Sequence, residues 1–172
     1  MPDYRCATRA CPFDQLRPEF VNIIREHLQA QHLGDLLDEA LMCCETITDK
    51  IGASWYDALF GDNSDAISHL ALVLTPQRLI WARTGDRTAA TVASAPLSDL
   101  IVKVFRPGNS RDFGLKLTVR IAGTRTVVNG QLLLGPESAA ERFCEEIGRV
   151  MHIPTRPGKR LWSRWMGGER ED

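Results

Sequence analysis

The spacing of apolar residues changes period twice along this chain. Leu16, Phe20, Ile23, Ile24 and Leu28 recur at threes and fours, which lays one apolar stripe along a helix. That spacing predicts a helix over 13–33. Pro18 falls within its first turn or two, where a missing N–H matters least, which moves the start toward Arg17. Gly34 stands where a left-handed C-cap is wanted. The period then drops to two. Met42, Cys44 and Thr46 alternate with Leu41, Cys43, Glu45 and Ile47, predicting a strand over 40–48. A helix running on from Leu36 is the competing reading. Strands are expected over 67–75, 79–84, 88–95, 99–106, 113–121 and 125–134, with "RPGNSRD" and "AGT" as turns. From Pro136 the helical period returns, and Ala140, Phe143, Ile147 and Val150 or Met151 share one face. Glu137 and Glu141 lie toward the positive end of this helix, and Arg149 and His152 toward its last turn.

Two details sharpen the pattern. In "HLALVLTPQRLIWA" two apolar runs are joined through Thr75, Pro76, Gln77 and Arg78, which reads as a hairpin whose Pro76 presets the turn. Arg78 leaves that turn and is read as a structural residue. The first strand is apolar on both faces, Leu70, Leu72 and Leu74 on one and Ala71 and Val73 on the other. Such a strand needs cover twice. A barrel interior supplies one side. Leu16, Phe20, Ile24 and Leu28 of the first helix, or another subunit, supply the other. Cys43 and Cys44, being neighbours, point to opposite sides.

Composition adds little until its distribution is considered. The chain has 172 residues, 44% of them hydrophobic, and a net charge of -1, so nothing pulls it globally toward nucleic acid. Between Asp35 and Asp65, however, eight acids face Lys50 alone. Between Pro76 and Val128 nine Lys or Arg face Asp86, Asp99 and Asp112. Segregation of this kind suits contact between copies or with a partner. The first residues lack a signal-like apolar run and no window reaches the length of a membrane span, so a cytoplasmic setting is expected. Five cysteines, an odd number, fit free thiols there. Cys6 and Cys11 lack a second ligand pair for zinc, and no metal or cofactor is expected.

The hairpin residues Leu72, Val73, Leu74, Thr75, Pro76, Gln77, Arg78, Leu79 and Ile80 carry a resemblance. So do Pro96, Leu97, Ser98, Asp99, Leu100 and Ile101, and the helical Ala140, Glu141, Arg142 and Phe143. Over about Ala40 to His152 the chain resembles the bacterial pleckstrin-homology-like domains, close to the YokE-like and GRAM-related group. The resemblance implies an α+β fold: a seven-stranded, antiparallel, partly open barrel capped by a C-terminal helix. Residues 1–39 would add an N-terminal helical extension, 40–152 the domain itself, and 153–172 a flexible basic tail containing Trp. It also implies self-association, because related bacterial domains are oligomer-forming modules.

Enzyme chemistry finds no support in the sequence. His27, His32, His69 and His152 show no metal spacing, and there is no phosphate loop, nucleophile elbow or paired carboxylates. Phosphoinositide binding is disfavoured, since the loop from Asp49 to Ala66 sets Lys50 against four Asp residues. Two stretches remain as candidate interaction sites. Trp55, Tyr56, Leu59 and Phe60 in "SWYDALF" pair at i and i+4 and either cap the barrel mouth or stand exposed as a protein-interface anchor. Lys159, Arg160, Trp162, Arg164 and Trp165 of the tail would make a membrane-surface anchor if helical, or else dock on the domain or stay disordered. The expectation is a non-enzymatic binding or scaffold module that meets a protein partner or itself. Peripheral membrane binding through the tail is the alternative; neither nucleic acid nor a small-molecule substrate is expected.

Overall fold

The computed structural model describes residues 3–51, 66–105, 113–120 and 127–152. These residues form an α+β fold of two antiparallel sheets and a C-terminal helix. The first sheet holds β1 (Asp3–Ala10), β2 (Met42–Ile51), β3 (Ile67–Leu74), β4 (Arg78–Gly85) and β5 (Thr91–Pro96) in chain order. The second holds β6 (Leu100–Phe105), β7 (Phe113–Arg120) and β8 (Val127–Leu134). Helix α1 spans Pro18–Ala30 and α2 spans Ser138–Val150. The described strands number eight rather than seven, and they form two sheets with no closed barrel.

Burial on both faces of β3 organises the layers. Leu70, Leu72 and Leu74 point into an inner core between the sheets, where they meet Leu79, Leu115, Leu117 and Leu134. Phe143 and Ile147 of α2 complete that core with no exposed surface. Ala71 and Val73 point the other way and join Ile80 and Ala82 of β4. There the stripe of α1, Phe20, Ile24 and Leu28, lies over them. The second cover is therefore the chain's own helix. Cys44 belongs to the inner core and Cys43 to the outer one, as alternation requires.

The hairpin between β3 and β4 is held at its tip by Thr75. Its N–H donates to the Arg78 carbonyl at 3.0 Å, and its Oγ1 accepts from the N–H groups of Arg78 at 3.0 Å and Gln77 at 3.3 Å. A buried threonine thus satisfies turn donors that a bare two-residue loop would leave open.

The sequence pattern missed β1. Along "RCATRA" the inward residues are Cys6 and Thr8, while Arg5, Ala7 and Arg9 are exposed, so this stretch carries no large apolar alternation. Pairing with β2 creates it, from Asp3 opposite Ile51 to Ala10 opposite Cys44. On the exposed side Arg9 donates to the buried carboxylate of Glu45 at 2.7 Å. Thr8 then joins β1 to the far end of β8. Its N–H donates to Glu137 Oε2 at 2.9 Å, its Oγ1 accepts from the Gly135 N–H at 2.8 Å, and it meets Thr46 Oγ1 at 2.8 Å. Gly135 is required by this approach, because a Cβ there would collide with the Glu137 carboxylate and stand 2.9 Å from the Cys6 carbonyl.

The expected helix over 13–33 is divided. Phe13–Gln15 is a 3-10 turn, Leu16 is extended, and α1 opens with Pro18 at its first position after the N-cap Arg17. Its C-cap is Gln31, and the left-handed residue that follows is His32, not Gly34. His32 adopts φ 57, its N–H donates to Gln29, and the Leu33 N–H reaches back to the Leu28 carbonyl at 2.8 Å. Gly34 instead begins the 3-10 turn Gly34–Glu39. Helix α2 ends in a similar way on His152, with φ 54.

Phe143→Ala should cost about 3–5 kcal/mol, read as a lower denaturation midpoint with an unchanged denaturant slope. Deleting residues 1–34 would remove β1 as well as α1, uncovering Ala71, Val73, Ile80 and Ala82. That truncation should aggregate or melt early, and a stable, monodisperse product in size-exclusion chromatography would contradict the two-core description.

Candidate functional site

Polar side chains gather at both ends of α1. At its C-terminal half, three residues from helix and sheet converge on one hydroxyl. Ser94 Oγ lies 3.0 Å from His27 Nε2, accepts from Arg78 Nη2 at 3.2 Å and lies 3.5 Å from Gln31 Oε1. Gln31 Nε2 also meets His27 Nε2 at 3.1 Å. Arg78 donates into Ser94, Ser94 in turn donates to Gln31 Oε1, and the Gln31 amide N–H donates to His27 Nε2. Burial, and then the nearby Arg78, hold the His27 imidazole below its usual value, which favours the neutral form that accepts from the Gln31 amide. A serine beside a neutral histidine is a pairing used in nucleophilic catalysis. Here it ties α1 to β4 and β5 as a clamp. Arg78 keeps the structural role read from the sequence, holding the turn by its backbone and the clamp by its side chain.

At the N-terminal end of α1 the sheet is left uncovered. A cleft of about 520 Å³ opens there between Arg17, Glu19, His69, Thr84 and Arg87, with Ile67 at its margin. Its two acids are already engaged. Glu19 accepts from Thr84 Oγ1 at 3.3 Å and Asp86 from the Ala66 N–H at 3.1 Å. Burial and then Arg17 lower the His69 pKa. Beside the cleft the same face exposes Ile47 and Ile67, at 40% and 44%.

The outer face of the second sheet differs in character. Inward positions of β6 and β7 are apolar, while Ile101, Lys103, Lys116 and Arg120 face solvent. Lys103 stands directly opposite Lys116 in the ladder, and Lys116 opposite Gln131. Ile101, opposite Thr118, is 51% exposed. The Phe105 ring lies over Gly114, where a Cβ would collide with it. The result is a basic, partly apolar sheet surface with no acid in its described ladder. Acids collect on the opposite side of the molecule. Asp14, Asp35, Asp38 and Glu39 are exposed on the two 3-10 turns flanking α1, with Arg25 among them stacked 5.5 Å from the Phe13 ring centroid.

The residues singled out in the sequence as sites lie elsewhere. Trp55, Tyr56, Leu59 and Phe60, with their expected helical pairing, fall outside the described residues, as do Lys159, Arg160, Trp162, Arg164 and Trp165. The expected turns at 106–112 and 122–124 are likewise outside. Among the described residues no three His, Cys, Asp or Glu gather as metal ligands, and no helix is long and apolar enough to cross a membrane. No family model, curated protein or solved structure matches this chain.

The clamp makes stability depend on pH. The folded pKa of His27 is depressed, so its contribution is complete above the ordinary value of 6.5 and is lost as pH falls below it. His69 acts in the same direction. Urea unfolding between pH 7.5 and 5 should show stability falling with pH, and His27→Gln should flatten that slope; an unchanged slope would remove His27 from the account.

Proposed function

We propose that this chain is a non-enzymatic scaffold module that associates with copies of itself, and that its PH-like character, implied by the sequence resemblance, belongs to the same reading. The observation that carries it is the Lys103–Lys116 pair. Like charges directly opposite in an antiparallel ladder repel, at about 0.2–1 kcal/mol. Their described neighbours Ile101, Thr118 and Gln131 offer no carboxylate to offset this. A basic face left this way is served by acids from another molecule. The exposed Asp35, Asp38 and Glu39 are of the right sign, and they sit on the opposite layer. Contact between unlike surfaces on opposite sides is head-to-tail, so it either closes a ring or extends a chain.

The same face would also attract an anionic lipid surface, and the basic, Trp-bearing tail favours that second reading. Analytical ultracentrifugation in parallel with vesicle sedimentation separates the two. The full chain should exceed the mass of a dimer, and added salt should weaken the assembly as charge pairs are screened over ~8 Å. The double variant Lys103→Gln/Lys116→Gln should be monomeric, and so should Asp35→Asn/Asp38→Asn. Mixed together, the two variants retain one working surface of each kind and should form a dimer and nothing larger. A wild-type chain that is monomeric at tens of micromolar would end the scaffold reading; if it then sediments with anionic vesicles, the membrane reading replaces it.

A further inference from the structure

Cys11 and Cys43 face one another across the first two strands. The ladder pairs Ala10 with Cys44, and the next rung is the Cys11 N–H donating to the Cys43 carbonyl at 3.2 Å. Residues opposite in an antiparallel pair send their side chains to the same face. Both pack into the outer core, Cys43 buried and Cys11 half-buried at its margin. A hydrogen-bonded pair holds its Cα atoms about 5.5 Å apart, inside the span of a disulfide. Its Cβ atoms stand about 4.5–5.5 Å apart, so closing the bond draws the last rung inward by about 1 Å. The rung has room to give on one side only: Cys11 ends the ladder and leads into Pro12 and the 3-10 turn.

We propose that Cys11 and Cys43 are a dithiol pair that glutathione disulfide, or a small disulfide of that class, converts reversibly into a cross-strand disulfide. Cys11, the more accessible thiol, loses its proton to solvent and attacks one glutathione sulfur. The glutathione S–S bond breaks, one glutathione thiolate leaves, and Cys11 holds the other half as a mixed disulfide. Cys43, deprotonated in turn, attacks the Cys11 sulfur and expels the second glutathione thiolate. The two thiolates take up the two protons released, so the chain is oxidised by two electrons and one disulfide becomes two thiols. Burial raises both thiols, Cys43 to about 12 with some help from Cys11, so exchange accelerates as pH rises.

The position of the bond gives it a consequence. Between the two cysteines lie both 3-10 turns and all of α1. Oxidation would therefore staple the two ends of the segment that covers the outer core.

The test treats the intact, full chain with glutathione disulfide at mildly alkaline pH, followed by acid quench, alkylation and peptide mapping. A Cys11–Cys43 cross-linked peptide is expected, with loss of two hydrogens and no retained glutathione. Melting should rise by about 5–10 °C and return to its starting value with dithiothreitol. Cys11→Ser should give neither the cross-link nor the rise. Cys43→Ala, which removes the resolving thiol, should retain glutathione on Cys11. Glutathione retained on Cys11 of the wild-type chain, both thiols still alkylated while the circular dichroism stays native, or a cross-link through another cysteine would each overturn the proposal.

Discussion

A sheet whose central strands are apolar on both faces cannot be left bare on either. In this protein β3 and β4 impose that constraint. Each fully buried Leu or Ile contributes about 1.5–3 kcal/mol through removal from water. The alternating sides of β3 alone commit five consecutive apolar positions, from Leu70 to Leu74, to opposite cores. The second sheet and α2 answer one face and α1 answers the other. What remains open follows by subtraction: the sheet beyond the N-terminal end of α1, and the outer face of β6 to β8.

Residues near the constraint are legible in the sequence and residues away from it are not. Alternation in "HLALVL" predicts two buried faces, and the stripe from Leu16 to Leu28 predicts one of their covers. The inward face of α2 follows from its spacing in the same way. Strand β1 escapes because Cys6 and Thr8, the inward residues along 5–10, are small, and Thr8 gains its value from partners far along the chain rather than from size. The left-handed turn at His32, just past the Gln31 cap, escapes because a histidine in that region competes poorly on paper with the glycine two residues on. Glu137 reads as a helix-end charge, yet its carboxylate reaches across to Thr8. For the sites the limit is of another kind. Charge segregation is visible as runs along the chain. The opposition of Lys103 to Lys116 is a matter of register, which no single strand reveals.

Layering also decides how charge can be used. Had the acidic turns and the basic ladder shared a side, they would have neutralised one another within the molecule. Separated by two cores, they cannot reach each other, and the chain carries a direction from one outer layer to the other. The clamp around Ser94 contributes to this by fixing α1 against β4 and β5, so that the acidic turns on its flanks are presented in a fixed orientation.

The junction at Thr8 joins positions 8, 135 and 137, nearly the whole described length of the chain apart. Closing so long a loop costs entropy that only later contacts offset, and long-range pairings of this kind form slowly. During synthesis, α1 and the strands β2 to β5 leave the ribosome well before Gly135 and Glu137 exist to receive the first strand. The outer core can therefore assemble while the inner one is still incomplete. Strand β1 is fully fastened only by residues that follow the last described strand, which makes it the final strand of this fold to be secured.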